Sequence, residues 1–421
     1  MADLLGLFSI LLATLVVLAL AKKSPAISLI LIVAFLLRIF LSLLNYYIGG
    51  LPESNGDAIV YEAYAWQWSQ GDFASVLSRY SILSHFDYNH TSVVPPAYFL
   101  SWLMALLYNL TDRSLLMAQT ISVMFGMGSI YLGWKLSAEI WSEQVAKKCA
   151  WVMAFFPSWV LYSALFMREV YIYFFTLFAL IAIVKWVKYN NFKYIIGAVV
   201  GFIAASLFHG AMILGLFVFL VFVFYRSSKD MFKAHLSVKT FFVQLIIVIL
   251  GILIAIAFFQ SAFTIPYIDN FENISVNKII KRITRTAFGK SQFPDWLLPY
   301  GFWDLIWKTP IRIFYFMFSP MPWNISEPKH LFGLMDGLLY VVLFTYLWKW
   351  RKKIIKEPPA KIFITMLAVY MLVFSLGIGN SGTALRHRAK LFPIILVLTA
   401  PLIPVINITN HPIIRRKDQD E

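Results

Sequence analysis

An arginine and a glutamate stand side by side at positions 168 and 169, within the apolar run LYSALFMREVYIYFFTLFALIA (161–182). The guanidinium of Arg168 is a planar fork of donors that fits phosphate oxygens, and the carboxylate of Glu169 can orient that fork or a substrate hydroxyl. The bland alternative is that the two pair with each other or cap helix ends. A second candidate is Asp57 in NGDAIVYEAYAWQWSQGDF (55–73). Asn55 and Gly56 suit a turn, and Asp57 suits a helix N-cap. A carboxylate at such a position can also take a proton from a hydroxyl, as a general base does. Tyr61, Tyr64 and Trp68 recur at helical spacing beside Glu62, a pattern that also suits an interfacial amphipathic helix. His209 in SLFHGAM stands alone between apolar runs, as a structural donor or as a substrate ligand.

Two basic stretches add phosphate chemistry. NKIIKRITRTAFGK (277–290) carries Lys281, Arg282, Arg285 and Lys290, and Arg312 lies in the aromatic, proline-rich run that follows. NSGTALRHRAKLFP (380–393) carries Arg386 and Arg388 just ahead of an apolar run, with Gly379 and Gly382 allowing backbone close to a ligand. Either stretch can instead be a solvated basic face. His85, His90 and His209 lack metal-ligand spacing, so no structural metal is expected. The single cysteine, Cys149, leaves no partner for an intramolecular disulfide.

The elements that must position these residues follow from composition. The chain is 60% hydrophobic and 14% charged, where a soluble domain carries about a quarter charged residues. Runs such as 4–21 and 241–259 reach the roughly 20 residues needed to cross a bilayer. The first lacks a basic leader and a small-residue cleavage site, and is expected to be a retained helix. The expectation is an all-α polytopic membrane protein.

The net charge of +15 could suit nucleic acid, but the basic residues sit in short clusters between apolar runs, as cytoplasmic loops facing anionic lipid do. Membrane lipid, and no nucleic acid, is the expected partner. These clusters are Lys22–Lys23, Lys147–Lys148, 185–193, 226–233, 349–361 and 415–417. Placing all six inside gives spans near 4–21, 26–46, 115–137, 149–166, 170–187, 194–208, 210–225, 240–262, 331–348, 362–378 and 391–408. That is about 11 crossings (within a range of 10–13), with 194–225 short for two of them. The run 95–110 begins with Pro-Pro and is read as a helix on the outer face. The chain then forms one integral membrane domain over 1–421, with outer segments at 47–114 and 263–330. Asp57, Glu62, Arg168, Glu169, His209, Arg282, Arg285, Arg312, Arg386 and Arg388 all fall on one face. Ionisable residues at a membrane are functional candidates by default.

In order, DAIVYEAYA, PPAYFLSWLMALLY, DRSLLMAQTISVMFGMGSIYLGWKL and AWVMAFFPSWVLYSALFMRE resemble the GT-C superfamily of membrane glycosyltransferases, which includes protein O-mannosyltransferases and lipid A aminoarabinose transferases. The likeness covers roughly 50–185 (with RHRAKLFP similar to a later basic-then-proline segment). It implies a polyprenyl-phosphate or polyprenyl-diphosphate sugar donor and an inverting transfer to a glycan, lipid or protein acceptor. It places the reaction on the outer face of a bacterial inner membrane. Asp57 would match the acidic base of the first outer loop, and Glu169 the second acidic position. The sequence departs from the pattern in having Arg-Glu adjacent and Asp-Ala in place of Asp-Glu, which leaves a catalytic divalent metal open. MREVYIYFF followed by SLFHGAMI is also similar to bacterial surface-polysaccharide repeat-unit polymerases. The competing class is a transporter or flippase for a lipid-linked sugar or an anion. Internal repeats would favour it, and the two halves show none.

Overall fold

Short polar signals set the helix boundaries. Asp3 opens the first helix and Lys22 and Lys23 close it, each charge opposing the helix dipole end it sits on. Ser114, Ser142 and Asn191 each cap a helix by accepting a backbone N–H two or three residues on. Asn190, in the left-handed region at φ 50°, ends one helix just before Asn191 starts the next.

The computed structural model describes residues 2–79, 98–233, 237–260, 280–281, 283–284, 287, 291–325 and 327–404. Its first half runs α1 (Ala2–Lys23), α2 (Ser28–Tyr47), α3 (Ile59–Trp68), α4 (Phe73–Ser78), α5 (Phe99–Leu110), α6 (Leu115–Ile140), α7 (Glu143–Phe155) and α8 (Pro157–Ala164). Then follow α9 (Glu169–Tyr189), α10 (Phe192–Phe208), α11 (Ile213–Phe232) and α12 (Val238–Gln260). The last third holds α13 (Phe302–Phe318), α14 (Pro328–Lys349), α15 (Arg351–Ile354), α16 (Ala360–Gly377), α17 (Ser381–Ala389) and α18 (Phe392–Thr399). No β-sheet forms among the described residues; residues 292 and 380 make an isolated antiparallel bridge.

The protein is an all-α, polytopic membrane protein. Eight of its described helices are long and apolar enough to cross a membrane, fewer than the expected eleven or so. The other three expected spans each fall short. The run 149–166 is divided at Pro157 into α7 and α8. Helix α10 has 17 residues, and α18 has 8 before a 3₁₀ turn over Ala400–Leu402. Helix α5 has 12 residues, about 18 Å of rise, which is too short for a hydrocarbon core of about 30 Å.

Helix α6 is the hub, packed against α1, α2, α7 and α9. It runs parallel to α9. The Ser122 and Tyr171 hydroxyls lie 3.2 Å apart near the two starts, and Lys188 donates to Glu139 at 2.9 Å near the two ends. Arg168 and Lys188 therefore mark opposite ends of a 21-residue helix, about 30 Å apart. Helix α10 returns against α9 so closely that a Cβ on Gly201 would lie 2.8 Å from that of Ala179.

The break at Pro157 illustrates how this apolar bundle keeps its backbone satisfied. Proline has no N–H for the carbonyl four residues back, and its ring crowds that carbonyl. Arg38, fully buried in α2, takes the freed Met153 carbonyl at 3.0 Å and the Ala154 carbonyl at 3.1 Å. The Ser158 N–H that Ala154 would have received donates instead to Asp336 at 3.3 Å. Two further buried arginines do similar work. Arg312 donates to the Ser375 and Ile378 carbonyls at the end of α16. Arg388 donates to the Met317 and Ser319 carbonyls at the end of α13. A helix C-terminus is where orphan carbonyls and the dipole both favour a cation.

Candidate functional site

Four separated parts of the chain meet at the end of the bundle where α6 and α9 begin. They are the loop before α3, the turn between α8 and α9, the break between α10 and α11, and helix α17 with the residue after it.

The loop curls through three left-handed residues, Gly49, Gly50 and Glu53, the last at φ 67°. It delivers Asp57 in a single wide turn, Ser54–Ala58. The expected N-cap role is corrected here: Ala58 occupies the cap of α3, with no side-chain cap bond. The Asp57 carboxylate accepts instead from the Tyr61 hydroxyl at 3.1 Å and pairs with Arg386. Arg386 Nε also lies 3.8 Å from Glu53 Oε2, so one guanidinium stands between two carboxylates.

Deeper in, Arg168 sits over the Tyr61 ring at 5.9 Å and 3.8 Å from Glu169. The α8 run stops at Leu165, whose extended ψ of 162° turns the chain, and the two charges follow at the head of α9. Glu169 is 1% exposed and faces Lys390, which is fully buried, at 3.7 Å. Lys390 Nζ lies 3.4 Å from His387 Nδ1. The His387 ring meets the His209 ring at 5.0 Å, edge to face, and both rings contact Phe374. The site thus grades from a solvent-facing carboxylate, Asp57, to a buried lysine–glutamate floor.

Charge balance follows from these neighbours. Burial raises the Asp57 carboxyl, but the Arg386 and Arg168 charges and the bonds from Tyr61 and Arg386 outweigh it and hold the group below its ordinary value. Burial drives the Lys390 ammonium well below the usual lysine range, with the Arg168 and Arg386 charges adding to the fall and Glu169 opposing it. The His387 imidazole is pushed far down by burial and by Lys390, which favours its neutral form.

Several buried polar atoms here have no hydrogen-bond partner within the protein: Arg168 Nε, Arg386 Nε, His209 Nδ1, Glu169 Oε2 and the Tyr162 and Tyr173 hydroxyls. An unsatisfied buried group costs about 1–3 kcal/mol, so the two guanidinium N–H groups and the tyrosine hydroxyls favour a ligand that can accept from them, and Glu169 Oε2 favours one that can donate.

Five expected site residues therefore come together: Asp57, Arg168, Glu169, His209 and Arg386. Three are placed elsewhere. Glu62 is held by Arg113 at 2.9 and 2.7 Å and by the Tyr108 hydroxyl at 3.2 Å, tying α3 to the turn after α5. Arg312 bonds the α16 terminus. Arg388, expected at a phosphate, is fully buried against Asp336 at 3.0 Å and the α13 carbonyls. Arg282 and Arg285 lie outside the described residues. Sequence reading missed Lys390, His387, Glu53 and Asp336. For the first two a signal existed: positions 386 and 390 share a helix face, as do 387 and 390, whereas 388 points away.

No protein-family model matches the sequence and no curated protein matches it. Among solved structures the chain is similar to ArnT from Cupriavidus metallidurans bound to undecaprenyl phosphate. The TM-score is 0.42 and the identity 13%, over 81% of this chain and 58% of that one. The chain thus spans less than two thirds of that structure's length.

Proposed function

We propose that this protein is a membrane glycosyltransferase of the GT-C type, moving a sugar from a polyprenyl-phosphate or polyprenyl-diphosphate donor to an acceptor hydroxyl on the outer face of a bacterial inner membrane. The observation that carries the reading is the meeting of Asp57, Arg168, Glu169, Arg386 and Lys390 from distant segments at one end of an apolar helix bundle. A lipid-linked sugar phosphate needs that combination: an apolar body for the tail, cations for the leaving phosphate and a carboxylate for the acceptor proton. The positive-inside rule supports the outer face, since Lys188 and Lys193 flank the far end of α9 and the site flanks its near end.

In the reaction the acceptor oxygen attacks the anomeric carbon as the bond from that carbon to the phosphate oxygen breaks. Asp57 accepts the hydroxyl proton, and the polyprenyl phosphate or diphosphate departs with the bonding electrons. A single displacement of this kind inverts the anomeric centre. Arg168 and Lys390 hold the leaving oxygens where negative charge develops, an arrangement that stabilises most strongly in a low-dielectric site. Arg386 has a double role. Its pairing with Asp57 is exchanged for the donor phosphate, which frees the carboxylate to face the acceptor.

The test is the profile of lipid-linked saccharides in cells lacking the gene. An accumulated polyprenyl monophosphate sugar, cleared by the wild-type chain, is the expected result. Accumulated single repeat units would identify a repeat-unit polymerase instead, and an unchanged lipid-linked pool would refute the reading.

A further inference from the structure

A cavity of about 690 Å³ opens beside the Glu53–Arg386 pair, with Glu53 and Gly56, the residue before Asp57, in its lining. Its walls are the loop 50–56, residues 291 and 320, and the first two turns of α14 and of α17. The wall at 291 is fixed, because Ser381 N–H and its hydroxyl both donate to the Ser291 carbonyl and Phe293 N–H donates to the Gly379 carbonyl at 2.8 Å. Four lining positions are glycines, Gly50, Gly56, Gly333 and Gly382, so bare backbone faces the space. A Cβ on Gly382 would meet nothing closer than 3.7 Å.

The lining selects its ligand by chemistry. No lysine or arginine is among its lining residues, and Glu53 contributes a carboxylate, so the cavity does not suit a phosphate. Glu53, Asn55, Ser291, His330 and Ser381 interrupt the wall, so it does not suit a polyprenyl tail. A mixture of donors, acceptors and one aromatic ring, Phe332, matches a molecule whose hydroxyls both donate and accept and whose ring face is apolar. The Glu53 backbone is held at φ 67°, a conformation uncommon for a residue with a side chain and worth noticing where it aims a functional group. That carboxylate both lines the cavity and lies 3.8 Å from the guanidinium that pairs with Asp57.

We infer that this cavity is a saccharide-binding acceptor subsite, with Glu53 accepting hydrogen bonds from sugar hydroxyls and presenting one hydroxyl toward Asp57. The inference rests on the glycosyltransferase reading and narrows the acceptor from glycan, lipid or protein to a glycan. Glu53 is a positioning residue: it accepts no proton in the reaction, and its effect is on acceptor affinity.

The test uses the full chain, purified in detergent, with methyl glycosides of glucose, galactose, mannose and N-acetylglucosamine as probes in saturation-transfer NMR. At least one glycoside should bind, and Glu53→Gln should weaken it by about tenfold or more, the scale on which losing charge-assisted hydrogen bonds is felt. Gly382→Leu, whose side chain enters open space, should block the same glycoside while thermal unfolding stays near wild type. In transfer assays Glu53→Gln should raise the acceptor KM by a larger factor than it changes the donor KM. No binding by any glycoside, or binding untouched in both folded variants, would overturn the subsite. Transfer of sugar to a peptide or a lipid without glycoside binding would sink the subsite and leave the enzyme standing. Glycoside binding without transfer from any lipid-linked sugar would keep a saccharide site and refute both the enzyme and the acceptor role.

Discussion

Replacing Asp57 by asparagine separates its structural contribution from its chemical one. The change keeps size and the Tyr61 contact, but removes the charge that pairs with Arg386. Asp57 is 37% exposed, and pairs screened to that degree are worth about 0–1 kcal/mol, so abundance and thermal stability should fall little. Loss of a general base costs about 10²–10⁴ in rate, or roughly 2.7–5.4 kcal/mol of barrier, several times the stability term. Turnover should therefore collapse at nearly normal protein levels while donor binding persists. Because its neighbours hold the Asp57 carboxyl below its ordinary value before the donor draws Arg386 away, the acid limb of the wild-type kcat/KM profile, which reports the free enzyme, should lie below the usual carboxylate range. The assay is product formation in membranes matched for protein by immunoblot. Near-wild-type turnover of Asp57→Asn would refute the reasoning and turn attention to Glu169.

The two neighbouring arginines should behave oppositely. Arg388→Ala strands the fully buried Asp336, a loss of about 3–5 kcal/mol, and should reduce folded protein; Arg386→Ala should accumulate normally and lose donor use, as read by abundance against turnover. Lys390 should act as a cation whose charge is lost at lower pH than that of an ordinary lysine, because burial and the nearby arginines depress it. Activity should then fall as pH rises through that lowered value, and Lys390→Arg should move the alkaline limb upward; an unmoved limb removes Lys390 from phosphate binding. Reporters fused after Lys148, Lys233 and Lys356 should read cytoplasm, and those near Thr91, Gln292 and Thr383 the outer side; a cytoplasmic signal at Gln292 would break the one-face arrangement.

The class of fold was legible because hydrocarbon imposes long apolar helices, and positive clusters mark one end of them. The span count was not, because hydropathy ignores a backbone break: 149–166 is apolar throughout except for two serines and one Pro, yet Pro157 divides it. The meeting of Asp57 with Arg386 spans 329 positions and leaves no local trace. Hydropathy could assign both residues to one face without pairing them. Arg312 and Arg388 were read as ligands because an arginine in an apolar chain is conspicuous. Their partners are backbone carbonyls and Asp336, and the need for those bonds arises only where one helix ends against another. Asp336 itself is hidden in an ordinary span pattern, since one acidic residue among GLLYVVLF barely alters hydropathy. Lys390 was visible in the sequence, and helical phase alone would have selected it over Arg388.

The central claim is transfer from a lipid-linked sugar, and reconstitution measures it most directly. The purified chain in proteoliposomes would be given polyprenyl-monophosphate and polyprenyl-diphosphate sugars, with and without a methyl glycoside acceptor. Free polyprenyl phosphate or diphosphate and the glycosylated acceptor would be quantified by mass spectrometry. The expected result is acceptor-dependent release of the lipid carrier with equal formation of the new glycoside, both reduced about 10²–10⁴-fold in Asp57→Asn. Movement of an intact lipid-linked sugar between leaflets, with no carrier released from any donor, would contradict the account and identify a transporter.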